Sequence, residues 1–595
     1  MNDEPKSIWE KSRLLPHWLR AWLWITGVTY LALIMVSLFL PGGPRQGSEW
    51  LVALTAFLAA GGVIAASLLG LWACIRWLCR WRNLRRCIFG LACVVTLLAL
   101  LYAEENWRGR RAWNQYQRAE EAQGTKFDFR EILPAAVPEE ENFAMTPVMA
   151  SSYDFMLTRE GKKIPSEKRD TNLVNQMDFD LGDAVGNNTN GTGSWVKGTL
   201  TDLQPWQEFY RGLANKTNLF PASPQPQTPA ADVLLALRRY DKTIEELRQS
   251  GQATQSRFPL DYEAENPAGI LLPHLAGLKR ASLLLRLRAI AELQNGQSEK
   301  AAADVKLGLR LMEAITEPFM ISHLVRIAMD EILLQPIYEG LANHQWTDAQ
   351  LGTLDLELAK LDFLADCQQV QKAHLAFTVA EIAFLRNHRD YASMFAGMGV
   401  CLPGDNKMES LIYLSVPGGW FFQSTVRECQ VLKQYGFAVE AATKTISPEK
   451  TAQAVQADES ARAQAGIFAA LRCFRQAFND DLLSSANFLK KIARAQASAS
   501  LARTAIALER YRLANGRIPE SLDALVPQFM AQVPHDVIGG QALKYRPETN
   551  GQFTLYSVGW NATDDGGTAG QRKDQSGESQ ADFESGDWVW RYPAK

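Results

Sequence analysis

The sequence has little net charge. Its 595 residues carry 62 Lys and Arg against 65 Asp and Glu, a formal net charge of -3 with a pI near 6.3. No overall positive field invites nucleic acid, and that class of partner is set aside. Cysteine is sparse, eight in all, and no two form Cys-x-x-Cys. This argues against a zinc ribbon and a thioredoxin-type site. The common catalytic signatures are missing too. There is no His-Glu-x-x-His, no Gly-x-Ser-x-Gly, no Walker A sequence, and no Gly-x-Gly-x-x-Gly opening a helix after a strand.

What the chain does have is segregation. Its first hundred residues hold most of the continuous apolar sequence, and the remainder reads as water-soluble. Three apolar runs stand out: Ala21–Leu40, Leu51–Ile75 and Cys87–Ala103. Each is near the ~20 residues a helix needs to cross a hydrocarbon core of ~30 Å, the third at the short end. No small-x-small cleavage site precedes Pro41, so the first run reads as a span rather than a signal peptide. Gly62, Ala66 and Gly70 recur every four residues in the second run, either as a stripe for close helix approach or as ordinary span composition. Between the second and third runs lie five arginines and no acid, Arg76, Arg80, Arg82, Arg85 and Arg86. Lys and Arg in short loops stay on the inner side. The expectation is three transmembrane helices in the inner membrane, the N-terminus cytoplasmic and the C-terminal part periplasmic.

Residues 104–229 read as an irregular juxtamembrane region of short strands and loops. Pro134, Pro138 and Pro147 interrupt it, and the proline-rich Pro221–Pro229 closes it as a stiff linker. From 230 to about 500 the period turns helical. Helices are expected over Leu278–Leu293, Ser298–Ile315, Phe319–Leu341 and from the Thr347-Asp348 cap to about Leu364. Asn295-Gly296 marks a stop. The order suggests antiparallel helical hairpins with a turn like that of tetratricopeptide repeats, although no 34-residue period recurs. After an irregular insert at Asn387–Trp420, Phe421–Gly436 and Pro448–Asn515 are again helical.

The last stretch carries a resemblance. A helix over Ala505–Leu513 ends at Asn515-Gly516, followed by Arg517-Ile-Pro519, Val533-Pro534, the strand Leu555-Tyr-Ser-Val-Gly559 and the polar loop Asn561-Ala-Thr-Asp-Asp-Gly-Gly567. Ala505–Gly567 resembles the C-terminal region of the type II secretion major pseudopilin, in which such a loop binds calcium. The resemblance implies a small α+β module over 501–595 and a calcium site with Asp564 and Asp565 as side-chain ligands beside Asn561. Asp-Asp-Gly-Gly is also ordinary turn chemistry. The chain departs from that family in having several apolar runs and no pseudopilin leader, and in reading His535-Asp536-Val537 where Asp-Pro is usual. A pilus subunit is therefore not implied. The remainder resembles a group of bacterial multi-span envelope proteins, which implies a location and no activity.

Three further patterns invite chemistry. His374, Glu381 and His388 fall seven residues apart on one expected helix, about 10 Å per step, too far for one ion. Ser194-Trp-Val-Lys197 has a nucleophile-base spacing but follows Gly-Thr-Gly in a loop. Asn187, Asn190, Asn215 and Asn561 begin Asn-x-Ser/Thr triplets, which matter only in a glycosylating pathway. Cys367, Cys401, Cys429 and Cys473 are either buried thiols or, outside the cytoplasm, two disulfides. The class expected is mainly α: a three-helix membrane anchor (1–103), an irregular region, a helical-hairpin body and an α+β C-terminal module. The function expected is that of a non-catalytic, membrane-anchored periplasmic scaffold bound to lipid and another envelope protein. Two alternatives stand beside it: an envelope hydrolase with a site assembled from distant residues, and an accessory component of a secretion system.

Overall fold

The computed structural model describes residues 80–591 apart from 151, 154, 158–162, 166–178, 180, 182–190, 218, 254, 389–415, 464–484, 549–550 and 574–578; before residue 80 it describes 20, 24, 27, 28, 30, 31, 63, 66–68, 70–72, 74, 76 and 77. The chain divides into two compact units, Met1–Glu104 and Glu105–Lys595.

The helix α1 (Trp81–Glu121) runs for 41 residues. Its apolar side chains from Ile88 to Leu101 stand exposed. Among the described residues it is the one helix long and apolar enough to cross a membrane. At 1.5 Å per residue it is ~60 Å long, twice a hydrocarbon core. The first two expected spans lie largely outside the described residues. The third is longer at both ends than the sequence suggested. Arg82, Arg85 and Arg86, expected in a loop, form the first turns of α1. Arginine is a good helix former, and no proline or glycine lies between Trp81 and Phe89 to stop the helix. Nor does it end at Ala103, because Glu105–Glu121 keeps helix-forming residues and adds the i,i+3 pair Glu105–Arg108 at 2.9 Å.

The second unit is mainly helical. It contains α2 (Gln204–Thr217), α3 (Pro229–Leu237), α4 (Asp241–Ser250), α5 (Pro273–Gln294), α6 (Ser298–Glu313), α7 (Met320–Ala342), α8 (Asp348–Leu358), α9 (Phe363–Asn387), α10 (Gly418–Gly436), α11 (Pro448–Ala463) and α12 (Ser485–Asn515). Helix α2 falls where only strands and loops were expected. Asp202 precedes it, accepting from the Gln204 amide at 2.9 Å, and Trp206, Tyr210 and Ala214 bury one stripe. Helices α5 and α7 are buried on most sides. Helix α5 stops where Gly296 turns left-handed at φ +73°. Thr347 and Gln350 form a reciprocal capping box at α8. That helix ends at Leu358, short of the expected Leu364, because Asp362 starts α9 by accepting from Ala365 N at 3.0 Å. A buried ion cluster ties α5 to its neighbours: Arg288 reaches Glu292 and Asp304 at 3.3 Å each, and Arg248 of α4 meets Asp304.

Strand is scarce. β1 (Phe155–Leu157) pairs with β2 (Lys163–Pro165), and β3 (Val439–Glu440) with β4 (Thr445–Ile446). At the C-terminus β5 (Lys544–Pro547), β6 (Phe553–Ser557) and β9 (Trp588–Trp590) form an antiparallel sheet in the order β5-β6-β9. β7 (Ala569–Lys573) and β8 (Ser579–Gly586) make a separate pair. Strands β6 and β9 pack on α12. Trp590 lies 5.5 Å from Trp195 and 5.6 Å from Tyr338 of α7, ring centre to ring centre. One hydrophobic core therefore runs from Phe143 through the helices to Trp590. Cys367 and Cys429 are buried free thiols, each pushed up to about 12 by burial. Cys401 and Cys473 lie outside the described residues.

Candidate functional site

Beyond its apolar part, α1 forms one wall of an open cleft of about 990 Å³. Trp113, Gln117 and Glu121 of α1 face it. Gly124, at φ +87°, reverses the chain and leads into Thr125–Glu131, the second wall. The segment Tyr262–Glu265 and the last turns of α9, from Val379 to Asn387, complete it. Phe127 meets Trp113 edge-on at 5.2 Å and joins a buried group with Leu375 and Cys429, which fixes the base. Asp128 holds the second wall, accepting from Arg130 N at 3.0 Å, Nε at 2.9 Å and Nη2 at 2.7 Å. Those hydrogen bonds keep its carboxyl below the usual range.

The lining is acidic and aromatic. Glu121, Asp128, Glu131, Glu263 and Glu265 face Lys126 and Arg130. Arg130 also approaches Glu263 at 3.6 Å, and Lys126 approaches Glu131 at 3.8 Å. At the rim, His388 lies 3.6 Å from Glu265 and stacks on Phe384 at 4.5 Å.

Behind Tyr262 sits a buried polar group. His274, in the first turn of α5, and Glu317, in the connection between α6 and α7, are both 0% exposed, with Nε2 2.9 Å from Oε1. The contact is not aligned for a hydrogen bond, and among the described residues neither ring nitrogen nor either carboxylate oxygen has a hydrogen-bond partner. The hydroxyls of Tyr153 and Tyr262 are also buried without partners among the described residues. Phe258 stacks on His274 at 3.8 Å and Arg257 lies over the Tyr262 ring at 4.9 Å. Burial first, and then the Glu317 charge, raise the pKa of both tyrosines. Four polar side chains thus converge where water is excluded, an expensive arrangement unless something satisfies them. A second polar seam joins α7 to α9. There Arg326 donates to Asp366 at 2.6 Å and approaches His323, while Asp330 is buried with both oxygens unpaired among the described residues.

The residues singled out by sequence fare differently. His374 and Glu381 lie on α9, and burial alone moves them, His374 down to about 4 and Glu381 up to about 8. His388 leaves the helix as its C-cap and reaches the cleft rim. The three do not converge. Ser194 caps a single turn, its Oγ accepting from the Lys197 amide at 3.4 Å, while the Lys197 side chain is exposed. Asn561, Asp564 and Asp565 share one exposed loop. Asn561 donates to Asp565 at 2.8 Å; Asp564 accepts from Tyr556 at 3.0 Å and pairs with Lys544 at 3.3 Å. Asp587, which no sequence motif marks, organises that loop by accepting from the amides of Asp565, Gly567 and Thr568 at 3.2, 2.7 and 3.2 Å. As a calcium site the fit is incomplete, because an ammonium group already neutralises Asp564. Among the described residues no three His, Cys, Asp or Glu side chains gather closely enough to hold a metal ion. The cleft and the group behind Tyr262 had no local signal in the sequence. Compared with protein-family models, curated proteins and solved structures, the chain matches none.

Proposed function

We propose that the protein is a membrane-anchored binding protein whose helical body offers the cleft to a partner outside the cytoplasm. The observation that carries this reading is α1 itself. Its apolar, exposed part and its cleft-lining part belong to one uninterrupted helix. Arginines at the start of that helix favour an inner-side start and an outer-side body. Three spans in an inner membrane, a TPR-like body and a pseudopilin-like module with a weak calcium site at Asn561, Asp564 and Asp565 belong to the same proposal. The test is twofold. Protease added to spheroplasts should digest the body, and crosslinking of the full-length protein in membranes should recover one stoichiometric envelope partner. A body protected from protease in intact spheroplasts overturns the reading.

A second reading, an envelope hydrolase, draws on the buried His274–Glu317 pair beside two tyrosine hydroxyls. Hydrolysis of ester or amide substrates by the purified protein, abolished in His274→Gln, would replace the first reading with this one.

A further inference from the structure

We infer that the cleft binds an organic cation, a primary ammonium or guanidinium group on an apolar stem, supplied by a basic side chain of a partner polypeptide or by a free polyamine. The inference rests on the binding reading above and adds the chemistry of what is bound.

Charge points first to a cation. Five carboxylates line the cleft against two cationic side chains. Both cations are committed: Arg130 to Asp128 at 2.7 Å and Glu263 at 3.6 Å, Lys126 to Glu131 at 3.8 Å. Glu121 receives a hydrogen bond from the neutral Gln117 amide at 2.7 Å. An anionic ligand would meet the excess of carboxylates, and a cation would be drawn to it.

The wall between the acids suits the same ligand. Trp113, Phe127, Phe129, Tyr262 and Phe384 line that space. Aromatic faces are negative and attract ammonium and guanidinium groups. Their apolar bodies also suit an alkyl stem, as the long side chains of Lys and Arg do elsewhere.

The buried side of the cleft adds an independent observation. Tyr262 is only 8% exposed, lines the cleft, and its hydroxyl has no partner among the described residues. Behind it Glu317 is 0% exposed, and its ion contact among the described residues is His274 alone. The Arg257 guanidinium lies over the Tyr262 ring at 4.9 Å, so this wall already holds a cation of the class proposed. A volume of about 990 Å³ is enough for a polyamine or for a few residues of a basic segment.

The experiment uses the full-length protein in lipid nanodiscs and isothermal calorimetry. The probes are spermidine, a Lys-Leu-Lys-Leu-Lys peptide, and the side-chain-acetylated form of each. Binding by a cationic probe and none by its acetylated form is expected, as is roughly tenfold weaker binding in the double variant Glu121→Gln/Glu265→Gln. The exposed pair Glu299→Gln/Glu449→Gln, distant in sequence from the cleft walls, should bind as the parent does. Spermidine alone binding identifies a free polyamine; the peptide alone binding identifies a basic polypeptide. No binding by either probe, or equal weakening in the control variant, overturns the inference. If crosslinking still recovers a partner, the binding reading survives that failure.

Discussion

Gly109 of α1 and Gly419 in the first turn of α10 meet backbone to backbone. A Cβ on Gly109 would overlap the Gly419 carbonyl, and a Cβ on Gly419 would overlap the carbonyl of Glu105. The close approach lets α1 supply the cap that α10 lacks. Pro417 offers no side-chain cap, and Asn106 Oδ1 accepts from Gly419 N at 2.7 Å in its place. Glu105 accepts from Trp420 Nε1 and Gln423 Nε2, both at 3.0 Å. Negative charge at a helix N-terminus is favourable, and here it comes from the neighbouring helix.

Substitution at this crossing should therefore be costly. Gly109→Ala or Gly419→Ala is expected to destabilise the body by about 1–3 kcal/mol, the usual cost of overpacking. Gly212 of α2 faces open space, with no atom of the described residues within 4 Å of where a methyl group would stand, so Gly212→Ala should stabilise by up to about 1 kcal/mol. Denaturant midpoints of the three variants check both signs. Equal behaviour of Gly109→Ala and Gly212→Ala would show that the crossing is not close-packed.

The pH dependence has two opposed parts on α9. Glu381 is raised to about 8 from an ordinary carboxyl value. Between about 4.5 and 8 the unfolded chain has lost this proton and the folded one has not, so stability falls as pH rises. Glu381→Gln should flatten that slope and gain on the order of 3 kcal/mol at pH 8 relative to the parent. His374 is lowered to about 4. Its neutral form is native, so its contribution is present above about 6.5 and lost as pH falls towards 4. His374→Gln should flatten the acid side alone. Urea midpoints from pH 4 to 9 separate the two, and a parent slope unchanged by Glu381→Gln would refute the assignment.

Calcium at the C-terminal loop should be weak, because Lys544 holds Asp564 at 3.3 Å. The ammonium charge beside Asp564 opposes a divalent cation on the same carboxylate. Lys544→Met should therefore bind calcium more tightly than the parent, read as a larger rise in Tm at millimolar calcium. No rise in either protein removes calcium from this loop.

Trp590 tests whether the C-terminal sheet stands alone. It is buried against Trp195 and Tyr338, far from the sheet in sequence. Trp590→Ala should cost about 3–5 kcal/mol. It should shift the single unfolding transition of the whole body, not a separate C-terminal one. A separate early transition, with the helical signal unchanged, would refute the common core.

Much local structure was legible because its causes are local. The Thr347–Gln350 box and the glycines at 296 and 516, with φ +73° and +70°, end or begin helices through backbone groups a few residues away. The long apolar run was legible for the same reason, since crossing a membrane depends on length and composition. Its ends were not, because no proline or glycine breaks α1 near Arg82 or Glu104.

The site depended on the tertiary structure. The cleft draws its walls from residues 113–131, 262–265 and 379–387, and Glu317 meets His274 across most of two helices. Nothing within any one of those stretches states that the others are near. Periodicity, caps and charge bias act over a few residues and shaped each helix. Which acids share a cleft, and which carboxylate is sealed behind a tyrosine, was decided by packing between helices, where burial rather than sequence spacing sets the chemistry of each group.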